Sequence, residues 1–526
     1  MSTALDFLIF ATCWSHVLLA PYTKVEESFN LHATHDVLLY GTHPGTLFNY
    51  DHFVFPGAVP RTFIGSILLA WISTPVILLA ERLELLHSKF DLQIVIRLVL
   101  ATMNSLTLCM LRRVTAHRFG GPAGVLFALL TCSQFHLPFW VGRTLPNMFA
   151  LVPVNIASCI LLYRSSNKPK PTPRDLGRVI ALLTFTSIVF RAEVALLLAP
   201  VTVHALFSGG ISFKKLLKVG VVSGLASIVS TVLVDSYFWD QWPLWPELNA
   251  IYFNVVQGKS SEWGISPPQT YFVSFLPKLL LGALPLSVVG ALVDHRVRSL
   301  LFAPTVFICM LSALGHKEWR FIVYVVPVFN AAAARGATWM ISRRKGSLFG
   351  RLSFLAVAGL LVINCAVTYL LTLTSIANYP GGAALSEFND LFADQQNVHV
   401  HISNLAAQTG ASLFLQTHAP PYPSYLPSLQ PQVNFASDWI YNKTENLTAK
   451  TLTSQHQITH VIAETDQGSI APASHFDLRE WDIVDSVQAF ERWRPNIGLL
   501  KGHSAAFGWE LFEMVKSDKL IILQRK

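Results

Sequence analysis

An all-α polytopic membrane protein with a mixed α/β C-terminal region is the fold class this sequence predicts, on three observations. Only 13% of its 526 residues are charged, about half of the roughly 25% usual in soluble domains. Apolar runs long enough to cross roughly 30 Å of hydrocarbon recur as far as residue 376. Beyond that point the chain turns polar, with alternating and helical patterns mixed. The mean hydropathy of +0.44 agrees with this division. The net charge of +8 comes from Lys/Arg clusters between apolar runs, the pattern of cytoplasmic loops rather than of a nucleic-acid-binding face.

The first run, 5–20, has Asp6 and no Lys or Arg near its start, and no small-x-small cleavage site follows it. It therefore reads as an uncleaved first span. A polar loop, 21–60, comes next. Run 62–80 is expected not to cross fully, which leaves that loop and Arg112/Arg113 on opposite sides of the membrane; two full crossings with a basic loop outside are the alternative. Runs 92–111, 121–141 and 147–163 are bounded by Arg112, Arg113 and Arg118, then by Lys168, Lys170 and Arg174. Both clusters belong inside, so "GRTLPN" (142–147) lies at the outer face. Run 176–206 must start and end inside, and "FRAEV" (190–194) interrupts it. Two short helices meeting near the outer face are expected, a break tolerated only where it is buried in protein or lines a cavity.

Runs 216–235, 272–292, 300–315, 320–341 and 352–376 complete a membrane domain of residues 1–376. Lys214/Lys215/Lys218, Arg296/Arg298 and Arg343/Arg344/Lys345/Arg351 mark its inner side. Parity then places 235–272, 315–321 and the tail, 377–526, on the non-cytoplasmic side. The tail carries two sequons, at Asn442 and Asn446, and such sites are glycosylated only on that side. All six cysteines fall within apolar runs, so packing thiols are expected, with no disulfide framework and no zinc site.

Four polar groups converge on the outer face: the Glu26/Glu27 loop, Arg143, the Arg191/Glu193 pair, and His316–Arg320. Ionisable groups beside membrane segments are costly and are functional candidates by default. Bland readings stand beside them. Arg191 and Glu193 suit a structural ion pair fixing a helix break, Arg143 suits a helix cap, and Trp239, Trp242, Trp245 and Trp263 suit an interfacial aromatic belt. For Glu26 and Glu27 the functional reading is stronger, because the chain is poor in acids and His35 and Asp36 follow closely. Like charges held together push one carboxylate pKa upward, which suits a general base working near neutral pH.

In order, "YTKVEESFNLHATHDVLLYG", "GRTLPN", "FRAEVALLL", "DSYFW…WPE…FNVVQGKSSEWG" and "HKEWRF" resemble glycosyltransferase family 22, the mannosyltransferases of the endoplasmic reticulum that use dolichyl-phosphate mannose. The family's acidic loop usually reads Asp-Glu before an aromatic; here it is Glu-Glu. "VEESFN" and "FNVVQGKSSEWG" are most similar to the branch that adds the eighth mannose, in α-1,6 linkage, to Man7GlcNAc2-PP-dolichol in N-glycan assembly. The resemblance implies a GT-C helical bundle in the endoplasmic reticulum membrane, multi-pass, with a luminal active site. Its donor and acceptor would both be dolichol-linked, and inversion at C1 would proceed by single displacement with one carboxylate base.

Motif register makes Glu26 the base, with Glu27 orienting the acceptor or sharing the proton. His316, Lys317, Arg320 and Arg191 would hold the donor phosphate. His35, Asp36, Arg143, Asn147, Glu193, Trp245 and Trp263 would hold acceptor and sugar. No metal or other cofactor is expected, and the outer loops hold no DxD triplet and no paired His motif. The alternatives are an α-1,2-mannosyltransferase of N-glycan or glycosylphosphatidylinositol assembly and, in a different class, a transporter or flippase. The last fits poorly, since no internal repeat is visible.

Overall fold

The structure, a computed structural model, describes residues 2–164, 171–430, 439–466, 468–496 and 512–526. Lys168 and Lys170 of the expected inner cluster lie outside the described residues. Helix α1 (Ser2–Leu19) crosses the bundle, α2 (Val25–Tyr40) follows in the region expected to be a loop, and α3 (Ile64–Arg82) and the 31-residue α4 (Lys89–Phe119) come next. Helices α5 (Gly121–Cys132), α6 (His136–Trp140) and α7 (Pro146–Leu162) precede the pair α8 (Pro173–Val189) and α9 (Val194–Phe207). That pair breaks at 190–193, at the expected place. Helix α10 (Phe213–Trp239) leads to the short α11 (Pro246–Ile251) and α12 (Leu276–Leu280). Helices α13 (Ala283–Val293), α14 (His295–Ser312), α15 (Val326–Ser342) and α16 (Leu348–Ile376) close the bundle. Among the described residues six helices are long and apolar enough to span a membrane, and a bent pair could supply a seventh.

Ion pairs and packing identify the two faces. Asp6 near the start of α1 binds Arg112 (2.8 Å) and Arg113 (2.6 Å), so the chain starts at the end of α4. His117 stacks on Tyr163, and Arg296 donates to the Arg118 carbonyl. Val219 packs against Gly177. The basic segments of α4, α8, α10 and α14 thus gather at one end of the bundle, as the charge pattern predicts. The other end meets the C-terminal domain.

Both ends of α3 lie at that second end. The backbone amide of Phe63 binds Asp235, near the C-terminus of α10, at 2.7 Å. At the far end of the helix, Glu81 accepts from the Ser428 amide at 2.9 Å. Just beyond it, Lys89 donates to the Ala419 carbonyl. Helix α3 has the length and hydropathy of a span, yet it returns to the face it left and packs along α2, where Ser66 donates to the Asn30 carbonyl. Run 62–80 is therefore a surface helix.

Run 272–292 departs from the expected single helix. It bends by 102° between 280 and 283. The freed backbone groups are met inside the bundle: Gln134 donates to the Leu280 carbonyl and Asn364 accepts from the Gly282 amide, each at 2.9 Å. A buried break of this kind is permitted because its polar groups are satisfied, and a hydropathy window cannot see it.

Helices α13 and α15 cross very closely. A Cβ on Gly336 would sit 2.1 Å from the Leu286 carbonyl oxygen, and one on Gly290 would sit 2.4 Å from that of Ala332. Small residues allow such backbone approach, and it is this contact that holds helices together where lipid and side chain are equally apolar. Gly336→Leu is expected to lower the thermal unfolding midpoint in detergent, with a loss of about 1–3 kcal/mol or more; an unchanged midpoint would mean that the crossing is not tight.

The C-terminal domain carries a five-stranded sheet, order β2-β1-β3-β5-β4, with β1 (His399–Ile402), β2 (Ile440–Asn442), β3 (His460–Glu464), β4 (Trp481–Pro495) and β5 (Phe512–Arg525). The first three strands are parallel, and β5 runs antiparallel to β3 and β4. Leu385 and Phe388, on the helix Pro380–Leu391, pack on Val400, Ile402, Ile462 and Ile522 of the sheet. The domain seats on the bundle through Tyr22, whose ring would meet a Cβ on Gly382 at 2.4 Å.

Candidate active site

Glu26 and Glu27 occupy the first turn of α2, where carboxylates favour the positive end of the helix. This is a correction to the expected loop, and it also separates the two groups. The Glu27 carboxylate is completely buried and takes a 2.8 Å bond from Arg143, itself fully buried. It also accepts from the Lys24 amide at 3.1 Å, which closes the turn. Arg143 goes on to the Tyr22 carbonyl (3.0 Å) and lies 4.2 Å over the Phe139 ring and 4.8 Å over the Tyr379 ring. The pair ties α2, "GRTLPN" and the C-terminal domain together. Glu26 is exposed and makes no side-chain hydrogen bond to the described residues. It stands one turn before Asn30 on the same face of α2.

A second group forms where α8 and α9 break. Arg191 binds Glu193 at 2.8 Å. Glu193 also accepts from Asn147 and from the Tyr324 hydroxyl, both at 3.1 Å. Asn147 donates to the Arg320 carbonyl as well. Three segments distant in sequence thus meet. The group includes two residues not singled out from the sequence: Glu247, which accepts from the Ala192 amide at 2.7 Å, and Arg61. Burial pushes the Glu247 carboxyl up, against the pull of Arg191 and Arg61. Burial lowers Arg61 to about 10, helped by the neighbouring Arg191, with Glu247, Arg320 and Glu193 also in range. Arg61 remains a cation at neutral pH. Its guanidinium makes no hydrogen bond to the described residues. Its sequence signal was weak, a lone arginine just before an apolar run.

Around residues 316–320, Glu318 is held between His316 (3.0 Å) and Arg320 (2.7 Å). Burial raises its pKa, but Arg320 and His316 outweigh that and hold it below the usual carboxylate range. Lys317 is buried and donates to the carbonyls of Ser266 (3.1 Å) and Leu314, so its ammonium pins two loops. Arg191 approaches this segment through the Phe321 ring, 5.5 Å away.

The remaining candidates stand apart from these groups. His35 and Asp36 are buried and bind each other at 2.9 Å; Asp36 caps the Asp51 amide and His35 meets the edge of Phe414. Trp245 donates to the Ile188 carbonyl. Trp263 is exposed at the end of a short 3-10 helix, Lys259–Trp263. Among the sequons, Asn446 is exposed, whereas Asn442 lies half-buried in edge strand β2 with its carbonyl on the Thr444 amide.

A family model for the Alg9-like mannosyltransferase family matches residues 5–427, which include all of these groups except the sequons. The chain belongs to that family. Relatives in three organisms carry the name Dol-P-Man:Man(7)GlcNAc(2)-PP-Dol alpha-1,6-mannosyltransferase. The Drosophila melanogaster protein is 36% identical, over 95% of this chain and 71% of its own length. That of Arabidopsis thaliana is 34% identical over 87% and 86%, and that of Saccharomyces cerevisiae 31% over 94% and 89%. Among solved structures, ArnT from Cupriavidus metallidurans bound to undecaprenyl phosphate superposes with a TM-score of 0.51 at 12% identity, over 99% of this chain and 97% of that one. At that identity the likeness shows the fold alone, which is the GT-C class expected from the sequence.

Membership in the Alg9-like family removes the transporter reading. It does not assign roles to single residues, and there the geometry is the guide. Within this Alg9-like chain the Glu26 carboxylate is exposed and makes no side-chain hydrogen bond to the described residues. The Arg61–Arg191–Arg320 group is a concentration of guanidinium charge, with Glu193, Glu247 and Glu318 interleaved.

Proposed function

We propose that the protein transfers mannose from dolichyl-phosphate mannose to the lipid-linked oligosaccharide Man7GlcNAc2-PP-dolichol, forming an α-1,6 linkage with inversion at C1. The observation carrying this reading is the similarity to enzymes of that name, 31–36% identical over 87–95% of the chain and 71–89% of theirs. In this reading Glu26 takes the proton of the acceptor 6-hydroxyl as its oxygen attacks C1. The C1–O bond breaks with its electron pair left on dolichyl phosphate. Arg61, Arg191 and Arg320, with His316 beside them, face that developing charge. Glu27 and Arg143 hold α2 so that Glu26 keeps its place.

The test is incubation of purified protein with dolichyl-phosphate mannose and the Man7 lipid-linked acceptor, followed by linkage analysis. A chelator is present throughout, since guanidinium groups supply the positive charge and the reading calls for no metal ion. An α-1,2 product, or no product, would overturn it.

Arg61→Ala is expected to lower turnover about 100-fold or more, the scale for removing one preorganised donor from developing charge. Thermal stability should be unchanged, because Arg61 bonds to no described side chain. Unimpaired turnover would remove Arg61 from the leaving-group site.

The reading also places the protein in the endoplasmic reticulum membrane, with the C-terminal domain and the site in the lumen. Support comes from the basic segments gathered at the opposite end of the bundle and from the two sequons. Expressed in eukaryotic cells, the protein should lose mass on endoglycosidase treatment. Asn446→Gln should abolish that shift and Asn442→Gln should leave it, because the fold leaves only the first of these side chains open. A C-terminal tag digested from outside sealed microsomes would reverse the topology.

A further inference from the structure

A cavity of about 250 Å3 lies between α2, the 51–57 segment and the C-terminal domain. It is smaller than the roughly 300–1,000 Å3 of pockets for drug-sized ligands, which is the scale of a sugar ring. The side of α2 that lines it carries Val25, Ser28, Phe29, His32 and Asp36, so it begins beside Glu26, three residues before Phe29 on the helix surface.

The lining is built and mostly neutral in its free groups. Phe29 is locked face to face on Trp239 at 5.7 Å, and Phe55 is covered by the Lys443 ammonium at 4.2 Å. Such half-buried rings offer apolar faces to the C–H side of a pyranose. The ammonium present, that of Lys443, is already used. Asp51 holds His32 at 2.9 Å and Lys443 at 2.5 Å. Burial raises the Asp51 carboxyl, but those two partners hold it well below the usual range. What remains for a ligand is the carboxamides of Asn404 and Gln408 and the carboxylate of Glu445, none hydrogen-bonded to the described residues. His52 is committed to the wall itself: its Nε2 donates to the Phe238 carbonyl at 2.9 Å, and its ring packs edge-on against Phe63 and Trp239.

No guanidinium or uncommitted ammonium lines this cavity, so it does not suit a phosphate. Carboxamides, a carboxylate and ring faces suit the hydroxyls and C–H face of a neutral sugar. Six of the seventeen lining residues belong to the C-terminal domain, away from the membrane helices, where a polar glycan reaches and a dolichyl chain does not.

We propose that this cavity is an acceptor subsite, which binds a mannosyl ring of the arm that is not being extended and so presents the extended arm to Glu26. It rests on the proposed reaction for its substrate, and assigns the C-terminal domain the role of reading the acceptor's branching.

The probe is the free glycan Man7GlcNAc2, without dolichyl diphosphate, titrated calorimetrically onto the full-length protein. The double variant Asn404→Ala/Gln408→Ala should bind it about tenfold or more weakly, as expected for the loss of two hydrogen bonds. In transfer assays its KM for the Man7 lipid-linked acceptor should rise by a similar factor with kcat little changed. The single variant Gln408→Ala, at an exposed position, should move both in the same direction and keeps the test open if the double variant does not fold. Equal glycan affinity in wild type and variants would overturn the subsite even if transfer proceeds. Weakened binding in the variants, with no transfer by wild type, would leave the subsite standing and overturn the proposed reaction.

Discussion

Glu26→Gln is expected to abolish mannosyl transfer while the protein folds, binds donor and melts as wild type does. The amide keeps the size of the side chain but cannot take a proton, and general-base catalysis is typically worth roughly 100- to 10,000-fold. Stability should not change because the Glu26 side chain is exposed and holds nothing in place. Turnover measured on the folded fraction decides the matter. Normal activity in Glu26→Gln, with loss in Glu27→Gln and no loss of stability there, would move the base one residue along. Normal activity in both would end the single-displacement mechanism with a base on α2.

Arg143→Ala should instead fail as a structure. The Arg143–Glu27 pair is fully buried at both ends, and removing one partner strands the other charge away from water. Breaking such a pair typically costs about 3–5 kcal/mol, a large share of any domain's stability. The Tyr22 carbonyl and the Tyr379 ring would lose their cation as well, loosening the seat of the C-terminal domain. Low yield and a lowered melting midpoint are the expected result. A variant with wild-type stability but no transfer would instead put Arg143 in direct contact with substrate. The contrast with Glu26→Gln is diagnostic: one substitution removes chemistry from a sound fold, the other removes the fold from sound chemistry.

These two adjacent residues also mark the limit of what was legible in the sequence. That Glu26 and Glu27 are candidates was readable, because acids are scarce in this chain and these two stand beside an apolar run. Which of them is free was not. The partner of Glu27 lies 116 positions away, and spacing carries no information about contacts at that range. The same reason hid Arg61, which reaches its cluster only because α2, α3 and the break at 190–193 pack together. It also hid the use of Lys317, whose ammonium is taken up by backbone carbonyls. His35 and Asp36, a plausible acceptor pair by composition, turn inward on each other.

By itself the sequence determined that the chain is a polytopic helical membrane protein. Its apolar runs, the interruption at "FRAEV", the basic clusters between runs and the order of the motif blocks are set by local composition. Hydrophobic transfer and the charge bias of loops act residue by residue and survive in a linear reading. Only the tertiary structure decided that α3 returns to the face it left, that the helix at 281–282 bends inside the bundle, and that a cavity opens between α2 and the C-terminal domain. Each of these depends on which distant groups satisfy a carbonyl, an amide or a charge. Burial makes those pairings obligatory, and only the folded chain says who the partner is.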